Sequence, residues 1–171
     1  MKRGDIIKGY FKDEQKIGLD TGAIVDFIYN KELFSAHIFQ LEKEKGLLYT
    51  HERCMEETIK VLTKKFEYTE NKSREEVREF LERFNIKIIK KDRLNSNTVK
   101  WMSKKCRESK IEFHPPDCFI IADFYKNKIK KIYSNNNHFL DACRLFGIRT
   151  VKVKTPEKEV SKQFRDMFFH R

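Results

Sequence analysis

No stretch of this 171-residue sequence is apolar over the length of a bilayer, and no apolar segment follows its first residues. A membrane-spanning helix is therefore not expected, and the reading is of a soluble, cytoplasmic protein. The four cysteines, Cys54, Cys106, Cys118 and Cys143, never approach a Cys-x-x-Cys spacing. That excludes a zinc site of the usual pattern and, in a cytosolic chain, a disulfide framework; all four read as buried thiols. No Ser–His or Cys–His pairing suggests a covalent nucleophile, and His51, His114 and His138 read as incidental. Internal repeats, low-complexity tracts and breaks in composition are also missing, so one domain is expected.

Acids are in short supply as well, 26 Asp and Glu against 37 Lys and Arg, for a formal charge of +11 and a pI near 9.4. A Lys- and Glu-rich surface of the kind found in heat-adapted proteins accounts for many individual lysines. The excess of one sign is different: it favours a polyanionic partner, because neutralising phosphates releases counterions. What the chain does have is core material, with 39% hydrophobic residues and 15 Phe.

Its pattern alternates. A strand over 16–20 is followed by helical stretches over 21–29 and 31–45, the second stopped by Gly46. "LLYT" (47–50) reads as a strand and "HERCMEETIKVLTKKF" (51–66) as a helix. Ser73 and Glu76 have the spacing of a capping box opening a helix over "REEVREFLERF". "IKIIK" (86–90) is a strand, followed by a polar helix through Trp101 to about Lys110. Pro115-Pro116 breaks the chain before the helix "DCFIIADFYKN". "KIYS" (131–134) is a strand, "NHFLDACRLF" a helix closed by Gly147, and "IRTVKV" (148–153) the last strand. Thr155-Pro156-Glu157 opens a terminal helix with Phe164, Met167 and Phe168 on one side. Such alternation predicts an α/β fold with a mainly parallel sheet covered on both faces. Residues 1–14 read as an N-terminal extension or edge strand, 15–156 as the domain, and 157–171 as a C-terminal helix.

Ligands in such sheets bind outside the carboxyl ends of the strands. Asp20 ends the first strand, where it serves either as a helix N-cap or as a site acid. Glu57 shares a helix face with Cys54 and Val61 and so points toward packed structure, whereas Glu56 joins Glu52 and Lys60 on a solvated stripe. A carboxylate on the apolar side needs a partner, structural or functional. Asp117 opens its helix, as N-cap or as site acid, and Asp123 on the same helix reads as a surface acid beside Lys126 and Asn127. "KIYS" delivers Ser134, Asn135 and Asn136 to the same edge. Two or three carboxylates with an amide and a hydroxyl make an oxygen-rich nest suited to Mg²⁺ or Mn²⁺. In a basic protein that nest points to metal-assisted phosphodiester hydrolysis.

"LDTGAIVDFI", "EETIKVL", "PPDCFIIADF", "KIYSNNNHFL" and "GIRTVKVKTPEK", in this order and spacing, resemble the PIN domain of endoribonucleases. The resemblance spans roughly 16–156. It implies a three-layer α/β/α fold and a Mg²⁺- or Mn²⁺-dependent endoribonuclease. Carried over, Asp20 is the first metal-binding acid with Thr21 as a supporting hydroxyl, Glu57 the helix acid and Asp117 the third. The family's fourth acid falls on Asn136, after Ser134; an amide oxygen there could still ligate an ion, and Asp141 stands a turn away as a substitute. The resemblance leaves a toxin of the VapC kind and an RNA-processing nuclease both open. The partners it implies are RNA, a second copy in a homodimer, and an antitoxin or ribonucleoprotein component. A second reading is a PIN-like RNA-binding or scaffold protein with weakened catalysis. In either reading Lys90, Lys91, Arg93, Lys126, Lys128 and Lys130 are the candidate phosphate contacts, with Trp101 or Tyr133 to stack on a base.

Overall fold

Short apolar runs separated by helices leave each strand little choice but to pair with the next in parallel, because every connection must cross back along the sheet. The computed structural model describes residues 15–154; the expected extension over 1–14 and the terminal helix lie outside them. Five strands, β1 (Ile17–Leu19), β2 (Leu48–His51), β3 (Lys87–Ile89), β4 (Lys131–Ser134) and β5 (Arg149–Lys152), pair in the order β3-β2-β1-β4-β5. All four pairings are parallel. From β1 the chain winds outward to β2 and β3, then returns to lay β4 on the other side of β1. The order reverses between β1 and β4, which is where open α/β sheets place their ligands.

Among the described residues seven helices make up the outer layers: α1 (Thr21–Tyr29), α2 (Ser35–Lys43), α3 (Glu52–Lys65), α4 (Glu70–Arg83), α5 (Ser96–Glu108), α6 (Asp117–Lys126) and α7 (Asn137–Leu145). Alternation along the strands feeds two cores. Ile17, Leu19 and Tyr133 pack with α1 to α4 around Phe27, Phe34, Leu62 and Phe80. Ile132 turns to the other face, with Met102, Ile121, Phe124, Phe139 and Leu140 from α5 to α7. The expected three-layer α/β/α arrangement is the one observed.

Several local readings need correction. The helix expected over 31–45 is shortened to α2, because Phe34 is buried against Phe27 at 5.9 Å and residues 30–34 turn to seat it. The capping box is not used. Thr69 caps α4 by accepting from the Lys72 N–H, while Ser73 lies inside the helix, buried, with its hydroxyl 2.9 Å from that of Thr63 on α3. Packing between α3 and α4 therefore overrides the local motif.

Asp123 is not a surface acid, nor is His51 incidental. Both are buried, and His51 Nε2 lies 2.7 Å from Asp123 Oδ2. His51 Nδ1 accepts the Arg53 N–H, so the ring proton sits on Nε2 and is donated to the carboxylate. The Asn95 amide and the Asp92 N–H complete the shell around Asp123. This brace ties the entrance of α3 to α6. Tyr133 is buried too, its hydroxyl donating to Glu44, and so cannot stack on a base. All four cysteines are buried and free, as expected.

Candidate active site

At the β1–β4 switch the Asp20 N–H donates to the Tyr133 carbonyl, fixing the residue where strand becomes helix. Its carbonyl accepts the Ile24 N–H, yet its side chain makes no cap bond. The carboxylate turns instead to Ser134 Oγ, which donates to Oδ2 at 2.7 Å, and to the Cys54 thiol at 3.7 Å from Oδ1. Burial pushes the Asp20 carboxyl above its ordinary range; the Ser134 bond opposes this, and the charge of Glu57 adds to it. The Cys54 thiol is driven well up by burial and by the charge of Asp20, so it stays protonated and unreactive.

Glu57 lines the same hollow as Asp20, with Val61 one turn further along α3. Glu56 faces a different groove, beside Lys60 and Arg74. The expected burial of Glu57 is not found: the side chain is exposed, reaching past the packed face into the hollow, where Oε2 accepts the Thr21 hydroxyl at 3.0 Å. Thr21 is itself buried and so holds Glu57 toward Asp20.

Asp117 is the first residue of α6, but the N-cap position falls on Pro116, so its carboxylate is not a cap. It lines the hollow, and its pKa is pushed up to about 6, first by burial and then by the charges of Asp20 and Glu57. Nearby His114 acts in the opposite direction. Three acids that feel one another, with no lysine or arginine ion-paired to them among the described residues, create a demand for a cation.

Asn136 lies on the rim of the hollow, with its amide oxygen already engaged. It caps α7, accepting the His138 and Phe139 N–H groups at 3.1 and 3.3 Å. This corrects the expectation of an amide oxygen available to an ion. Asp141 is turned out of the hollow and pairs with Arg144 at 2.6 Å. It offers no substitute for a fourth acid.

Sequence reading missed Gly22, Asp26 and Lys65, which line this hollow of about 370 Å³ together with Asn135, expected at this edge. Asn135 Nδ2 donates to Asp26 at 3.1 Å, and its amide fills the space left by Gly22, where a Cβ would collide with it. The signal was present: Asp26, four residues after Gly22 and so on its side of the helix, is the one interruption in the otherwise apolar run from Ala23 to Ile28. Lys65 closes the far end, two turns beyond Glu57 on α3.

The candidate phosphate contacts divide. Lys90, Lys91 and Arg93 follow β3 at the carboxyl edge, the side of the acids. Lys128 and Lys130 precede β4 and therefore stand at the opposite, amino edge, while Lys126 is paired with Asp92 at 3.0 Å. Trp101 is 43% exposed and packs beside Tyr125 and Phe146.

Hard carboxylate oxygens with a hydroxyl beside them suit Mg²⁺ or Mn²⁺ rather than zinc. As placed, no three His, Cys, Asp or Glu side chains among the described residues enclose one ion. Closing the three acids on a cation requires side-chain rotation, for which the exposed Glu57 has room. None of the described helices is long and apolar enough to cross a membrane.

A model of the PIN domain family matches residues 17–145. No curated protein matches the chain. Among solved structures, a chain of the DNA-bound VapBC from Salmonella typhimurium is similar in fold, with a TM-score of 0.58 at 18% identity. The similarity covers 81% of this chain and 98% of that one.

Proposed function

The chain belongs to the PIN domain family, a family of nucleases that generally use divalent metal ions, and from that premise we propose a Mg²⁺- or Mn²⁺-dependent endoribonuclease. The observation that carries the proposal is the convergence of Asp20, Glu57 and Asp117 on one hollow, where burial and then neighbouring carboxylate charge raise Asp20 and Asp117, a cluster that a cation would relieve. Asp20, Glu57 and Asp117 would hold the ion, Asp20 being oriented by Ser134 and Glu57 by Thr21. When bound, the ion lowers the pKa of a water and neutralises charge developing on the phosphoryl oxygens. The protein positions the scissile phosphate for in-line attack, in which the water oxygen bonds to phosphorus as the bond to the leaving ribose oxygen breaks. Lys65, about 12 Å along α3 from Glu57, takes a neighbouring backbone phosphate. No side chain forms a covalent intermediate. In this reading the catalytic domain is 15–156, flanked by the extension and the terminal helix.

One observation favours a second reading, a PIN-like RNA-binding or scaffold protein with weakened catalysis: the Asn136 oxygen is committed to capping α7, leaving three acids. The similarity to a VapBC chain makes an antitoxin a candidate partner, alongside a second copy or a ribonucleoprotein component. Cleavage of a mixed RNA substrate by wild type and Asp20→Asn, with Mg²⁺, Mn²⁺ or chelator, separates these readings. The nuclease reading requires Mn²⁺-favoured cleavage lost in chelator and in Asp20→Asn. Activity surviving both would refute the metal site, and RNA binding without cleavage would establish the second reading.

A further inference from the structure

The two faces of the sheet treat their lysines differently at the amino edge. On the α1–α4 face, Lys131 is neutralised by Glu44 at 2.6 Å, which also accepts from Tyr133. On the α5–α7 face, Lys16 and Lys87 both stand over the ring of Tyr49, at 5.3 and 5.5 Å from its centroid. Neither has a carboxylate partner among the described residues. Lys16 donates to the Asn127 carbonyl at the end of α6, while Lys87 is exposed and makes only the ring contact. Pairing sets Lys87 directly beside Tyr49. Lys130 joins the row through its N–H to the Lys16 carbonyl, and buried Ile129 between Lys128 and Lys130 leaves both lysines in solvent.

Lys16 and Lys87 come from the strands on either side of Tyr49, and with no carboxylate between them among the described residues they add to one positive potential that suits an anion. From β3 across β2 and β1 to the start of β4, the row covers three strand spacings, about 15 Å. A single small anion would use one part of that length; a phosphodiester chain uses all of it. We propose that Lys16, Lys87, Lys128 and Lys130, organised around Tyr49, form a docking surface for the RNA backbone at the amino edge, remote from the acid hollow. This surface would hold substrate by charge alone, without reading its sequence, and the inference rests on RNA being the substrate. It gives the excess positive charge a second location, apart from Lys65, Lys90, Lys91 and Arg93 on the side of the acids.

The test is binding of a fluorescein-labelled 12-nucleotide mixed RNA, in chelator to prevent cleavage, followed by anisotropy across a NaCl series. The variants are Lys87→Glu/Lys130→Glu, the milder Lys87→Gln/Lys130→Gln, and Lys60→Glu/Lys64→Glu, which changes the net charge equally on α3. The amino-edge reversal should weaken binding at least tenfold at 100 mM salt and reduce the log–log salt slope by about 1.4, the value for two lost contacts to a single strand. The Gln pair should show a smaller loss, and the α3 pair a change within threefold. Equal effects of the two reversals, or a loss confined to thermal stability, would overturn the surface while leaving the nuclease reading intact. Wild type that binds no RNA at any salt would refute both.

Discussion

Replacing Asp117 by Asn should make the metal-free protein more stable, although it removes a proposed metal ligand. In the folded chain Asp117 binds its proton more tightly than in the unfolded one, with a pKa of about 6 against the ordinary 3.8. Between those values the native state holds more protons than the unfolded state, so stability falls as pH rises from 3.8 to about 6 and stays reduced above. The interval corresponds to ~3 kcal/mol. Screening at the open mouth of the hollow reduces this to about 2 kcal/mol, or roughly 4–8 °C in melting temperature for a chain of this size. Asn cannot ionise and avoids the loss, and it also relieves Asp20 and Glu57. Thermal melts of wild type and Asp117→Asn in chelator at pH 7.5 should therefore favour the variant, with the gap closing near pH 3.5. Saturating Mn²⁺ should reverse the order, since a ligand stabilises the state that binds it. A variant no more stable than wild type at pH 7.5, or a gap independent of pH, would refute the charge-cluster reasoning.

His51→Ala removes one of the donors to the buried Asp123 carboxylate, leaving the Asn95 amide and the Asp92 N–H, and should cost about 3 kcal/mol in urea unfolding; a cost under about 1 kcal/mol would show the brace to be dispensable. Gly22→Ala should cost no more than about 1 kcal/mol, because the new Cβ displaces only the end of the exposed Asn135 side chain and its bond to Asp26. Helix propensity alone would make the same change stabilising by up to about 1 kcal/mol, so the sign of the measured effect decides. Asn136→Asp can keep one oxygen on the α7 cap and turn the other toward the hollow. Calorimetry should show Mn²⁺ bound about tenfold more tightly, corresponding to roughly 1.4 kcal/mol, and an unchanged affinity would exclude position 136 from the metal site.

Strands and helices were legible because apolar runs and their stops are local features, as at Gly147 with its φ of +76° after α7. Helical period also separated Glu57 from Glu56, since one points along α3 toward α1 and the other toward α4. Asp123 was misread because its meaning comes from distant residues: the neighbours Lys126 and Asn127 suggested solvent, while His51 and Asn95 arrive from β2 and the β3–α5 connection. Ser73 failed for the opposite reason, a valid local motif overruled by contact with Thr63. The committed oxygen of Asn136 needed no tertiary knowledge, because an Asn followed by an apolar helical run is itself an N-cap signal.

Metal-dependent cleavage at this site requires Asp20, Glu57 and Asp117 to close on one divalent ion. A crystal of the wild-type protein soaked in Mn²⁺, with data collected for anomalous differences, tests this directly. The predicted result is a peak between the three carboxylates at roughly 2.0–2.3 Å from their oxygens, with Glu57 rotated inward and the Asn136 oxygen still on the α7 cap. Carboxylates that remain apart around an empty hollow, or a peak that excludes Asp20, would contradict it.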